Sequence, residues 1–397
     1  MTSGINRRYT LNVLGLAAGV AAFVALTAPG LAQDGQPLKV GVVLPMTGPF
    51  QSHGKQIYNG AQLYVQQHGA VVAGRRIEFI LRDDAGIADQ TRRLSQEAVV
   101  RDKVEVLFGY GLTPLAMAAA PISAQAKVPQ LIYAATSSIT DHSPYVVRTS
   151  HTLPQVASIL GQWAAKQGVK TFVSLVSDYG PGIDSETWFV KTYEANGGKV
   201  VEKLRVPLAS PDFAPFLQRV ADLKPDAIFS FLPSGVGAIM MRQFVERGLD
   251  KSGIRVIVMG DVVNDDSLNG MGDVVLGVTS AAVYSAAHPS QKNKDFVTSF
   301  TKAFNMRPDF MAVFGYDAMH VLYEALKKNK GDSAGPKLLE AMKGQTWESP
   351  RGMVTLDPET RDLIQDVYFR KVEKRDGELW NIEFDKISAV KDPAKQK

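Results

Sequence analysis

Cysteine is absent from this 397-residue chain. Its absence excludes a disulfide framework, a thiol nucleophile, a thiolate metal site and a lipid anchor on an N-terminal cysteine. Histidine is scarce. His53, His68, His142, His151, His288 and His320 make up the full set, and none shows metal-ligand spacing. A strong excess of either charge is also lacking: 44 Lys and Arg against 40 Asp and Glu leave +4, which gives no electrostatic case for nucleic acid. There is no Gly-x-Ser-x-Gly elbow. The Gly-rich stretch 233–237 lacks both the lysine of a phosphate loop and a dinucleotide fingerprint. The paired acids Asp83-Asp84 and Asp265-Asp266 point to opposite faces of an extended chain and read as turn or surface groups. Together these gaps argue against an enzyme, and no cofactor or metal is expected.

What is present is the composition of a packed α/β protein. Hydrophobic residues reach 45% and charged residues 21%, ample for cores and unlike a disordered chain. The length suits two domains. One apolar run, 11–27, follows Arg7 and Arg8 and precedes Gly30-Leu31-Ala32. It is rich in Ala and Gly and short beside the roughly 20 residues of a membrane span. The pattern predicts an export signal over 1–32, cleaved after Ala32, and a mature chain free in the periplasm. Loss of Arg7 and Arg8 lowers the net charge from +4 to +2.

The remainder alternates short apolar runs with amphipathic stretches. Residues 38–44, 76–81, 104–108 and 130–133 read as strands, and so do 171–176, 200–206, 226–231 and 255–259. The order strand, loop, helix, strand recurs about 120–130 residues apart, a topological repeat. Such alternation predicts two doubly wound parallel sheets with helices on both faces. Ligands of open parallel sheets lie beyond the carboxyl ends of the strands. That singles out six loops: 45–54, 109–114, 133–138, 178–183, 233–238 and 260–265.

The run Lys39-Val40-Gly41-Val42-Val43-Leu44-Pro45-Met46-Thr47-Gly48-Pro49 resembles the start of mature Leu/Ile/Val-binding proteins. Asp83-Asp84, Asp102-Lys103-Val104, Ala134-Ala135-Thr136, Asp178-Tyr179-Gly180 and Gly260-Asp261 follow in that family's order. The resemblance covers about residues 38–385. It implies a type I periplasmic binding fold: two Rossmann-like lobes joined by three hinge crossings, placed near His151, Tyr284 and Gly352. The implied division is 33–150 plus 285–350 for the N-terminal lobe and 151–284 plus 351–390 for the C-terminal lobe. Late strands are expected at 353–356 and 366–369. The implied function is capture of a small carboxylate by hinge closure and delivery to an ABC permease and its ATPase, by a monomer. A ligand sensor for a signalling system is the alternative role.

The resemblance also implies site residues. His53 stands where members place a ring beside the ligand. Gly111 allows close backbone approach, and Thr113-Pro114 reads as a helix start whose free N–H groups suit a carboxylate. Tyr110 and Leu112 share that loop. Ala134, Ala135 and Thr136 match a carboxylate-binding loop, with Ser137 in reserve. Tyr179 matches the aromatic that closes over the ligand. Members that bind amino acids hold the ammonium with an acid at the position occupied here by Val262, while Asp261 stands one residue earlier. Loss of the acid predicts a ligand without an α-amino group, such as a benzoate or cinnamate, because an unpaired buried charge is costly. An inward-facing Asp261 would instead favour branched-chain or other aliphatic amino acids. Tyr110, His53, Tyr179, Phe310 and Met311 are expected to line the pocket.

Overall fold

The computed structural model describes residues 35–208 and 211–396. The expected export signal lies outside the described residues. Among the described residues no helix is long and apolar enough to cross a membrane.

The first half opens with β1 (Gly35–Leu44), α1 (Gln51–His68), β2 (Val71–Val72), β3 (Arg75–Asp83) and α2 (Ala88–Val100). It continues with β4 (Val106–Gly109), α3 (Thr113–Ala126), β5 (Gln130–Ile132) and β6 (Val146–Arg148). Their sheet runs β2-β3-β1-β4-β5-β6. β1 pairs in parallel with β3 and β4. Leu38, Val40, Val42, Val43 and Leu44 are fully buried, as a central strand covered by helices on both faces requires.

The second half contains α4 (Leu153–Lys166), β7 (Thr171–Ser177), α5 (Gly180–Ala195), β8 (Lys199–Val206) and α6 (Ala214–Leu223). After these come β9 (Ala227–Phe231), α7 (Gly237–Glu246), β10 (Arg255–Met259), α8 (Leu268–Met271) and β11 (Thr279–Ala282). The chain then forms α9 (Gln291–Phe304), α10 (Phe310–Lys328) and α11 (Gly335–Met342). β12 (Thr346–Ser349), β13 (Gly352–Leu356), β14 (Leu363–Arg375) and β15 (Glu378–Val390) complete it. The second sheet runs β12-β13-β14-β11-β10-β9-β7-β8, with β15 on β14.

The parallel doubly wound centres of both sheets match the alternation in the sequence. The second sheet has in addition an antiparallel flank, because β14 pairs antiparallel with β11 and β15. β14 and β15 are 13 residues each and form a hairpin around Asp376-Gly377, longer than the short late strand expected at 366–369.

Two features position the space between the sheets. α10 packs on α1, so a helix that lies in sequence between β11 and β12 of the second sheet covers the first. The segment 149–152 leads from β6 into α4, whose start is fixed by a capping box: Thr152 Oγ1 accepts from the Gln155 N–H, and Gln155 Oε1 accepts from the Thr152 N–H. This segment is held from below by buried ion pairs. Arg351 donates to Asp317 Oδ2 at 2.8 Å and to the Thr149 carbonyl at 2.7 Å. Arg148 faces Asp362 at 3.1 Å and donates to the Thr136 carbonyl at 2.6 Å.

Candidate ligand site

The carboxyl ends of the two sheets face a common cavity. It is lined from the first sheet by His53, Gly111, Leu112, Thr113, Tyr133 and Ala135, and from the second by Tyr179, Pro181, Phe231, Pro233 and Asp261. His151 and Leu153 of the connecting segment and Met311 at the start of α10 complete the wall. Its volume is about 40 Å³, room for a few waters and far below a usual ligand pocket. A ring-sized ligand therefore enters with movement of the walls. A broader groove of about 600 Å³, bordered by Trp163, Phe244, Arg255 and Thr279, lies at the amino ends of β10 and β11. Parallel sheets place ligands at the other end, so the small cavity is the candidate site.

Each wall has a local cause. Asp83 ends β3 and accepts from the Met46 N–H at 2.9 Å and from Thr47 Oγ1 at 2.6 Å, which pins the loop before α1. His53 thereby sits 6% exposed in the first turn of α1, edge-on to Phe50. Burial lowers its pKa, and the Asp266 carboxylate opposes that. Thr113 and Thr136 hydrogen-bond through their hydroxyls at 2.8 Å, which joins the loops after β4 and β5. The Leu153 N–H donates to the Ala135 carbonyl at 2.9 Å, tying the connecting segment to the same loop. Tyr179 lies 6.2 Å from Phe231 between ring centres, and both cap the second sheet. Burial raises the Tyr179 phenol pKa, and the neighbouring Asp261 charge adds to the effect. Asp261 itself is pushed up to about 6 by burial, against its own backbone N–H and the more distant Arg370.

Of the residues expected from sequence, His53, Gly111, Leu112, Thr113, Ala135, Tyr179, Asp261 and Met311 meet at the cavity. Thr136 stands just behind, bound to Thr113. Four others do not line it either. Tyr110 adopts φ +62°, follows Gly109 at φ +128°, and turns its ring away to bond Ser95 Oγ at 2.9 Å. A Cβ on Gly109 would meet the Val43 carbonyl oxygen at 2.1 Å, so the kink that redirects Tyr110 depends on that glycine. Ala134 packs into the core beneath α3. Val262 is 1% exposed among Met240, Met241 and Leu268 in the second core. Phe310 is buried beside His151, 6.1 Å between ring centres. The expectation at this loop is therefore corrected: Val262 does not face the cleft and Asp261 does, so the missing acid no longer argues against an ammonium and the ligand is to be read from the rest of the wall.

The sequence reading did not single out Tyr133, His151, Leu153, Pro181, Phe231 or Pro233 as lining residues. Tyr133, Pro181 and Pro233 fell inside expected site loops, and His151 marked an expected crossing. Phe231 ends a strand on the ligand side, which was a usable signal.

Two facing parallel sheets with a ring-lined cleft at their carboxyl ends define a class of two-lobed solute binders. The chain belongs to the periplasmic binding protein family, whose model matches residues 37–378. A "Leu/Ile/Val-binding protein homolog 6" of Brucella melitensis is 41% identical over 363 residues, 90% of this chain and 93% of that protein. A solute-binding protein of an ABC transporter from Rhodopseudomonas palustris BisB5, solved with 3,4-dihydroxybenzoic acid, is 58% identical with a TM-score of 0.89. The match covers 91% of this chain and 99% of that one. Another from R. palustris HaA2, solved with p-hydroxybenzoic acid, is 40% identical at a TM-score of 0.88, with 91% and 99% covered.

Proposed function

We propose that this protein is the substrate-binding component of an ABC importer and captures a hydroxylated benzoate between its two lobes. The observation that carries the reading is the cavity wall itself. Tyr133, Tyr179, Phe231, His53 and His151 supply flat faces, Leu112, Leu153 and Met311 supply apolar contact, and Asp261 is the one carboxylate. Flat rings pack favourably on aromatic walls. Asp261, already raised toward neutrality, accepts a hydrogen bond from a ring hydroxyl at the second-lobe wall. The ligand carboxylate lies at the first-lobe wall, near the Thr113 and Thr136 hydroxyls and the start of α3, where N–H groups suit an anion. The ligands of the two R. palustris proteins support this chemistry.

The tight cavity supports binding by closure, with lobes of 33–150 plus 285–350 and 151–284 plus 351–390 moving about their crossings. The protein works as a monomer released in the periplasm by cleavage near Ala32, and its closed form is what a permease and its ATPase receive. Calorimetry on the ligand-stripped chain from Gln33 tests the reading. Binding of 4-hydroxybenzoate and 3,4-dihydroxybenzoate, with no heat from leucine or valine, is the expected result. Tight leucine binding would overturn it, since Asp261 would then be holding an ammonium.

A further inference from the structure

The cavity wall contains two buried polar side chains that make no well-formed hydrogen bond among the described residues. Tyr133 is 1% exposed. Its hydroxyl makes no hydrogen bond of good geometry: the Thr149 hydroxyl lies close enough to interact but donates to the Phe314 carbonyl at 3.3 Å. His151 is 6% exposed, its Nδ1 is buried and unbonded, and neither ring nitrogen is bonded to a described residue. Buried polar atoms without partners are rare, and each costs about 1–3 kcal/mol of desolvation. Two of them in one cavity wall point to a missing partner that belongs in the cavity.

Their placement is fixed from behind. Tyr133 ends β5 and packs its ring edge-on to Phe108, 5.4 Å between centres. His151 is set between Phe310 and Phe314 at 6.1 and 5.8 Å. The Leu153 N–H to Ala135 carbonyl bond keeps the two segments together. The imidazole remains neutral at physiological pH, because burial, then Arg351 and Arg148, pull its pKa down to about 3. It therefore offers one N–H donor and no charge.

Resting on the reading of the cleft as an aromatic-acid site, we propose that Tyr133 Oη and the His151 imidazole form a neutral donor pair that holds the ligand carboxylate. The pair extends the Thr113, Ala135 and Thr136 wall and makes this end of the site selective for a planar anionic oxygen pair. Asp261 lies on the opposing wall, away from that anion.

The test uses Tyr133→Phe and His151→Phe, which keep ring packing and delete the polar atoms. Dissociation constants are measured for 4-hydroxybenzoate and for its primary amide, alongside the ligand-free melting temperature. Each variant is expected to bind the acid at least 10-fold more weakly, to lose preference for the acid over the amide, and to melt no lower than the parent. A merely structural role would lower the melting temperature and weaken both ligands alike, which overturns the proposal. Variants that bind the acid as the parent does overturn it as well. If the parent binds neither hydroxybenzoate, the cleft reading itself fails, a result separable from failure of the donor pair.

Discussion

At the scale of single residues, Asp261 is the group whose chemistry has most to say about the ligand-free state. Its folded pKa of about 6 stands above the ordinary 3.8. Burial favours the protonated form, so the folded protein bears no penalty from this group below the ordinary value. The penalty grows as pH rises between the two values and is complete above about 6. Asp261→Asn cannot ionise. Its melting temperature should exceed the parent's at about pH 7.5 and converge with it near pH 4. Scanning calorimetry across that range checks the sign, and equal melting curves at neutral pH would show that the carboxylate sits in water. The same substitution exchanges a charged acceptor for the weaker neutral amide oxygen, so affinity for 3,4-dihydroxybenzoate should fall severalfold while unsubstituted benzoate changes little.

Residues of this kind were only partly legible in the sequence. The loop carrying Asp261 was found from strand periodicity, but which of two adjacent side chains faces the cleft depends on a short 3-10 turn at Gly260–Val263. That turn rotates Val262 into the core and Asp261 outward. A one-residue choice of this sort is made by packing against Gly237, where a Cβ would meet the Val262 carbonyl at 2.1 Å. Tyr110 was misread for a related reason. Its left-handed backbone follows from the glycine before it and carries no periodic signal. The paired acids, expected as turn or surface groups, divide otherwise: Asp83 ties the first loop and Asp266 accepts from Ser52, while Asp84 and Asp265 are buried, accepting from Thr91 Oγ1 and from Asn381.

At the scale of elements, the alternation of apolar runs and amphipathic helices located the parallel strands well because buried parallel strands read as continuous apolar segments. β10 is observed at Arg255–Met259, as expected. The long β14–β15 hairpin was missed because β15 is exposed along much of its length and lacks such a run. The pairing of α1 with α10 was equally hidden, since it joins residues some 250 apart. It rests on two close approaches: a Cβ on Gly60 would meet the Ala312 carbonyl at 1.9 Å, and one on Gly315 would meet the Ile57 carbonyl at 2.1 Å. Both obstacles are backbone, so neither helix can yield without shifting. Gly60→Ala and Gly315→Ala should each cost about 1–3 kcal/mol, a fall of several degrees in melting temperature. Because His53 and Met311 ride on these two helices, ligand affinity should fall in the same variants. Unchanged melting would mean that the helices part readily.

At the scale of the whole molecule, the two sheets are bridged by polar contacts across the mouth of the cleft. Ser52 of α1 donates to Asp266, beyond β10. Asn264 Nδ2 donates to Asp309 Oδ2 at 2.6 Å and to Asp266 Oδ1 at 3.1 Å. Asp309 caps α10 by accepting from the Ala312 N–H at 3.1 Å. Burial, then the Asp266 charge, push the Asp309 pKa well above the carboxylate range. One amide thus serves two facing acids, and the Asp266 charge helps to keep Asp309 protonated. Asn264→Ala removes that donor and leaves the cap on α10 in place. A ligand that binds only the closed form gains affinity in proportion to the closed fraction. Loss of a latch worth about 1.4 kcal/mol therefore raises the dissociation constant by up to about 10-fold, the full factor holding where the open form predominates. Small-angle scattering should show the ligand-free variant more expanded than the parent, while the two ligand-saturated profiles coincide. If the ligand-free profiles also coincide and affinity is unchanged, closure is set by the ligand and the connecting segments alone, and the bridge contributes nothing to the balance between open and closed forms.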